Sequence, residues 1–102
     1  MSISFNKFFG DREHTFALTD DMIAELERLT GEGIGAIYSR AVTGGFSLGT
    51  LKEIIRLGLI GGGASTENAK RLTDTYATDR AIAEILPLAL DVLQARWGEA
   101  EE

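Results

Sequence analysis

His14 is the single histidine of a chain that has no cysteine, and those two counts bound the chemistry its side chains can perform. An imidazole exchanges protons near neutral pH and ligates transition metals. A zinc site, however, needs three or four protein ligands. One histidine beside the charged cluster Gly10-Asp11-Arg12-Glu13 therefore reads as a surface residue, and no stoichiometric zinc is expected. A serine nucleophile needs a base and a group that orients it, and no G-x-S-x-G elbow is present. Asp20 and Asp21 are neighbouring carboxylates, but adjacent helical residues point in different directions, and both suit the positive end of a helix dipole. No D-x-D-x-D-G calcium loop occurs. Gly61-Gly62-Gly63 lacks the G-K-[ST] continuation of a phosphate cradle, and a helical rather than a strand pattern precedes it. The expectation is a protein that is not an enzyme, with no catalytic residue, cofactor or metal.

Function then has to lie in surfaces. The formal net charge is −6 and the isoelectric point is near 4.7. Such a balance repels phosphate backbones and anionic lipid, so neither nucleic acid nor a membrane is an expected partner. Ala81 to Leu93 is apolar but carries Glu84, Pro87 and Asp91, and it is too short to span a bilayer. Met1 to Gly10 lacks a signal-peptide pattern, and the absence of cysteine fits a reducing cytoplasm. With 102 residues, 44% of them hydrophobic, the chain suffices for one modest core. We expect one domain over residues 1–98, made of a hairpin (1–18) and a helical part (19–98), followed by an acidic tail (99–102).

The elements that position these surfaces follow from periodicity. Ile3, Phe5, Lys7 and Phe9 alternate with Ser4, Asn6 and Phe8, and His14, Phe16 and Leu18 alternate with Thr15 and Ala17. Two period-2 runs around a Gly-Asp turn predict a β-hairpin, which must pack on something else to be stable. From Thr19 the period becomes helical. Thr19 is an N-cap and Gly31 a stop, with Met22, Ile23, Leu26 and Leu29 on one face. A second helix is predicted from Ile34 to Val42, with Ile34, Ile37, Tyr38, Ala41 and Val42 inward and Gly44-Gly45 as its end. Ser47 caps a third, bearing Leu48, Leu51, Ile54 and Ile55. Ser65 caps a fourth, with Ala69, Leu72 and Tyr76 inward. Asp79 opens the fifth, which carries Ile82, Ile85, Leu86, Ala89, Leu93 and Trp97 and ends at Gly98. Pro87 predicts a kink or break near Ile85-Leu86. The fold class is α+β, mainly α: an N-terminal β-hairpin packed on four to five short helices.

Two features remain unabsorbed. Gly58-Leu59-Ile60-Gly61-Gly62-Gly63 reads as a turn between the third and fourth helices, with Leu59 in the core and Ile60 more exposed. A helix-turn-helix there would make Ser65 to Tyr76 a recognition helix, but Lys70 and Arg71 are offset by Glu67 and Asp74. The phenylalanines fall on both hairpin faces, Phe5 and Phe9 on one and Phe8 on the other. One face can pack on the helices; either the short twisted hairpin wraps enough to bury the second face as well, or that face is left as an apolar docking strip. The hairpin edge with Phe8, Phe46 and Ile60 is the candidate partner-binding surface.

The order of these motifs resembles a family. A hairpin leads to Phe16-Ala17-Leu18-Thr19, a helix with Ala24-Glu25-Leu26-Glu27, a Tyr38-Ser39-Arg40 helix and the Gly58 to Gly63 run. Over roughly residues 5 to 97 this is similar to small tail proteins of bacterial gene transfer agents and related siphophages. The chain departs from that pattern in a shorter hairpin region and in the proline of its last helix. The family is labelled a tail tube protein, and by genomic position it looks like a tail assembly chaperone acting beside the tape measure protein. The resemblance implies no catalytic residues. It implies a cytoplasmic or virion-associated protein whose partner is the tape measure or another tail protein, with homo-oligomers as a further expectation. The competing readings are a structural tail component and, third, a DNA-binding regulator.

Overall fold

The computed structural model describes residues 2–98, so the acidic segment 99–102 lies outside the described residues. Two strands, β1 (Ser4–Phe9) and β2 (Arg12–Ala17), form an antiparallel hairpin in unbroken register from Ser4↔Ala17 to Phe9↔Arg12. Five helices follow: α1 (Asp20–Thr30), α2 (Ile34–Thr43), α3 (Leu48–Gly61), α4 (Thr66–Tyr76) and α5 (Ile82–Trp97). The expected α+β, mainly α architecture is the observed one.

Local chemistry sets most helix ends. The hydroxyls of Thr19, Ser47 and Ser65 accept hydrogen bonds from the amides of Met22, Thr50 and Asn68, each satisfying a donor that the first helical turn leaves unpaired. Gly31, Gly44 and Gly98 end α1, α2 and α5 in the left-handed conformation. α2 has no side-chain cap of its own. The Glu27 carboxylate substitutes by accepting the Ile34 N–H at 2.8 Å.

α3 is the centre of the molecule and packs against β2, α1, α4 and α5. Leu51, Ile54, Ile55, Leu57 and Leu59 are all buried, so the helix is apolar around most of its circumference, as a core helix must be. Phe16 and Leu18 from the hairpin, Leu26, Ile37, Ala69, Leu72, Val92 and Leu93 complete the core.

Four expectations need correction. First, the glycine run is not all turn. α3 continues through Gly58, Leu59, Ile60 and Gly61, and only Gly63, at φ +117°, adopts a conformation that favours glycine. The reason is spatial. A Cβ on Gly58 would lie 3.2 Å from Val92, and on Gly61 or Gly62 it would lie 1.9 Å from the Ala17 or Thr15 carbonyl oxygen. The glycines thus cut a notch in the helix end that receives the β2 backbone. Second, Leu29, Val42, Leu48 and Ile82 are exposed although they lie on apolar stripes, because no element packs over those ends of the stripes. Third, Asp79 does not open α5. It sits at φ +58°, and Ala81 is the N-cap. Fourth, of the kink or break expected near Ile85-Leu86, the break does not occur: α5 runs on through Pro87. The proline lies on the exposed side near the helix start, where it forfeits one hydrogen bond while Ile85, Leu88 and Ala89 hold the helix on the core.

Leu59 is buried and Ile60 half-buried, as expected, but this follows from the faces of a continuous helix rather than from a turn. Leu59→Ala is expected to cost about 2–4 kcal/mol through the cavity it leaves. Urea unfolding checks this, and a variant that unfolds at the wild-type midpoint would remove Leu59 from the core.

Candidate docking surface

The hairpin is two-faced by its pairing. Phe5↔Phe16, Lys7↔His14 and Phe9↔Arg12 point to one face, and Ser4↔Ala17, Asn6↔Thr15 and Phe8↔Glu13 to the other. On the first, Phe16 is fully buried. It stacks on Phe5 at 5.5 Å and meets Phe9 edge-on at 6.2 Å. Phe9 in turn meets Tyr76 of α4 edge-on at 6.0 Å, and edge-on contacts suit the charge distribution of aromatic rings. Lys7 donates to Asp91 of α5 at 2.5 Å. On the other face Phe8 is 67% exposed, the most exposed of the large apolar side chains among the described residues.

The turn at the hairpin tip is made by Gly10 at φ +73°, with the Asp11 N–H donating to the Phe9 carbonyl at 2.9 Å. A Cβ at Gly10 would lie 2.2 Å from the Tyr76 ring, so glycine there lets the tip close on α4. Beside it lies an open cleft of about 370 Å³. Lys7, Phe8, Phe9 and Gly10 form one wall, Tyr76 and Arg80 the far end, and Glu84, Ile85, Pro87 and Leu88 of α5 the other wall. The cleft offers apolar area flanked by two cations and a carboxylate, the mixture of surfaces found in ligand and peptide sites.

Phe46 and Ile60 lie elsewhere. Phe46 precedes α3 and lines a smaller cleft of about 190 Å³ with Ile37, Leu51 and the Glu32–Arg40 ion pair. Ile60 lies near the opposite end of α3 from Phe46 and packs half-buried on the core. The structure therefore separates Phe46 from Ile60, and of the three candidates only Phe8 stands clear of the core. On the α4–α5 side of the hairpin cleft, Tyr76 and Ile85 lie on helical stripes legible in the sequence, but the convergence of residues from two helices and a turn is not. Trp97, half exposed, stacks on Tyr38 at 4.4 Å.

Several polar groups near these surfaces are paired with one another. His14 shares a 2.9 Å hydrogen bond with Asp11, and this contact holds the Asp11 carboxyl below its ordinary pKa. Lys70 likewise lowers Asp74, and Arg28 lowers Glu25. The Lys70–Asp74 and Arg28–Glu25 pairs are exposed and add little stability, whereas His14, expected at the surface, keeps only 8% of its side chain exposed because it lies on the hairpin face that packs on the helices. On α4, Lys70 is occupied by Asp74 and Arg71 by Asn68, which leaves no clustered basic face on the helix a DNA reader would use. Among the described residues, no group of three or more histidine, aspartate or glutamate side chains is placed to hold a metal ion. Among the same residues, no helix is long and apolar enough to cross a membrane.

Against known proteins, a family model described as phage tail tube protein, GTA-gp10, matches residues 3–99. No curated protein and no solved structure matches the chain.

Proposed function

The chain belongs to the GTA-gp10 phage tail tube protein family, and from that membership we propose that it acts in tail assembly as a non-enzymatic chaperone of the tape measure protein. The observation that carries this reading is Phe8: a large apolar ring left 67% exposed, beside an open cleft, on a hairpin whose other aromatic rings are packed. A tape measure protein is long and rich in apolar helix, and its unassembled segments need cover. Phe8 is the anchor in this reading, worth about 1–2 kcal/mol, and the exposed rims of Phe46 and Ile60 are secondary contacts. The net charge of −6 keeps the complex soluble. Moderate affinity per copy, summed over many copies on one long chain, permits release as the tube grows.

The family's own description favours a second reading, a structural tail component. Co-expression separates the two. The tape measure protein is expected in the soluble fraction with wild type, and in markedly smaller amount with Phe8→Asp, a variant that leaves the core untouched and should keep its circular dichroism. Equal recovery with both forms rejects the Phe8 surface. No gain in solubility with wild type rejects the chaperone role and leaves the structural component.

A further inference from the structure

The two edges of the hairpin are treated differently. In an antiparallel ladder, residues alternate between pairs that bond to each other and pairs whose N–H and C=O groups point outward. The Thr15 and Ala17 carbonyl oxygens point out of the hairpin, onto Gly62 and Gly61. Their register partners Asn6 and Ser4, and Phe8 in the same alternation, must then aim their own backbone groups out of the opposite edge. The notched end of α3 covers the β2 edge. Among the described residues no other strand pairs with the β1 edge, where Ser4, Asn6 and Phe8 are all exposed; the Ser4 N–H alone has a local partner there, donating to the Ser2 hydroxyl at 3.1 Å. That edge also lacks the usual protections. It has no proline and no bulge, and its one lysine, Lys7, is folded onto Asp91.

We propose that the β1 edge is an interface with a second copy of this chain, formed by antiparallel pairing of β1 with β1 of the partner about a two-fold axis at Asn6. The charge pattern of the strand selects both occupant and register. From Ile3 to Phe9 there is no carboxylate and a single cation, so in a chain of net charge −6 this is the stretch where two copies meet without acid facing acid. Outward groups can bond only to outward groups. That condition leaves three central registers, with the axis at Phe5, Asn6 or Lys7. The axis at Lys7 sets lysine against lysine, and the axis at Phe5 leaves Phe8 beyond the end of the partner's strand. With the axis at Asn6, Ser4 faces Phe8 of the partner subunit, Phe5 faces Lys7 of the partner subunit, and all three outward residues are bonded, the Ser4 N–H exchanging the Ser2 hydroxyl for the carbonyl of Phe8 of the partner subunit. The result is a four-stranded sheet with helices on one face and two Phe8 rings on the other. A six-residue edge covers less than the roughly 800 Å² per partner of a stable complex, so the pairing is weak and concentration-dependent. It holds whichever tail role the chain fills.

The chain's lack of cysteine makes the register directly measurable. Facing residues that bond to each other have Cα atoms about 5.5 Å apart, within the range a disulfide spans. Oxidised Asn6→Cys should therefore cross-link at least tenfold faster than Ser4→Cys or Phe8→Cys, whose symmetry mates stand roughly 13 Å away. The double variant Ser4→Cys, Phe8→Cys should recover fast linkage. Sedimentation equilibrium of the wild type should show dimer growing from micromolar to millimolar concentration. Asn6→Pro removes an N–H that the β1–β2 ladder does not use and should weaken dimerisation at least tenfold with an unchanged circular dichroism spectrum. Monomer at every concentration, or equal cross-linking at all three positions, overturns the proposal, and so does an Asn6→Pro effect confined to capture of another tail protein. If Asn6→Pro fails to fold, the cysteine rates alone decide.

Discussion

Gly61→Ala is expected to destabilise the protein by about 3 kcal/mol or more, a large effect for a change of one methyl group. The added Cβ would lie 1.9 Å from the Ala17 carbonyl oxygen and 3.3 Å from Met22. The first neighbour is backbone in a paired strand and cannot rotate away, so either β2 or the end of α3 must move. Backbone conformation is not the obstacle, because Gly61 is helical and has no positive φ. Gly35→Ala supplies the contrast. It lies inside α2 with no atom within 4 Å of its Cβ position, and it should stabilise by about 0.5–1 kcal/mol through helix propensity and a less disordered unfolded state. Urea unfolding of the two variants reads both signs. A Gly61→Ala protein as stable as wild type would mean that α3 does not dock on β2 as described.

Phe16→Ala should cost about 3–5 kcal/mol, a large share of the roughly 5–15 kcal/mol total of a domain this size. Phe16 is completely buried, between the Phe5 and Phe9 rings and the Gly58 notch, and it joins the hairpin to α3 and α5. The surrounding rings are held by strand pairing and cannot collapse into the space. Phe8→Ala, on the opposite face, should fall within about 0.5 kcal/mol of wild type. The unfolding midpoint of Phe16→Ala therefore measures how firmly the helices hold the hairpin. A loss below about 1 kcal/mol would show the hairpin to be a loosely attached arm.

The sequence by itself determined the elements and most of their ends. A cap forms between residues three apart, so Thr19, Ser47 and Ser65 mark helix starts without reference to the rest of the molecule, and Gly31, Gly44 and Gly98 mark ends for the same local reason. Alternation in the first eighteen residues likewise revealed the hairpin and divided its phenylalanines between faces, because pleating gives every strand the same period. At α5, which has no side-chain cap, local reading failed: Asp79 is the residue that could cap a helix, while the helix begins after Ala81.

Tertiary structure decided everything that depends on which surfaces meet. Leu48 and Leu51 are the same residue type one helical turn apart, yet one is half exposed and the other fully buried, since only the second lies beneath a neighbouring element. The Gly58 to Gly63 run looks like a helix terminator because isolated glycines weaken helices; contact with the Ala17 and Thr15 carbonyls, more than forty positions earlier in the chain, turns it into a helix end fitted to a strand. That same contact covers one hairpin edge and leaves the other bare. Whether an edge is covered is a property of the whole fold, and no periodicity records it.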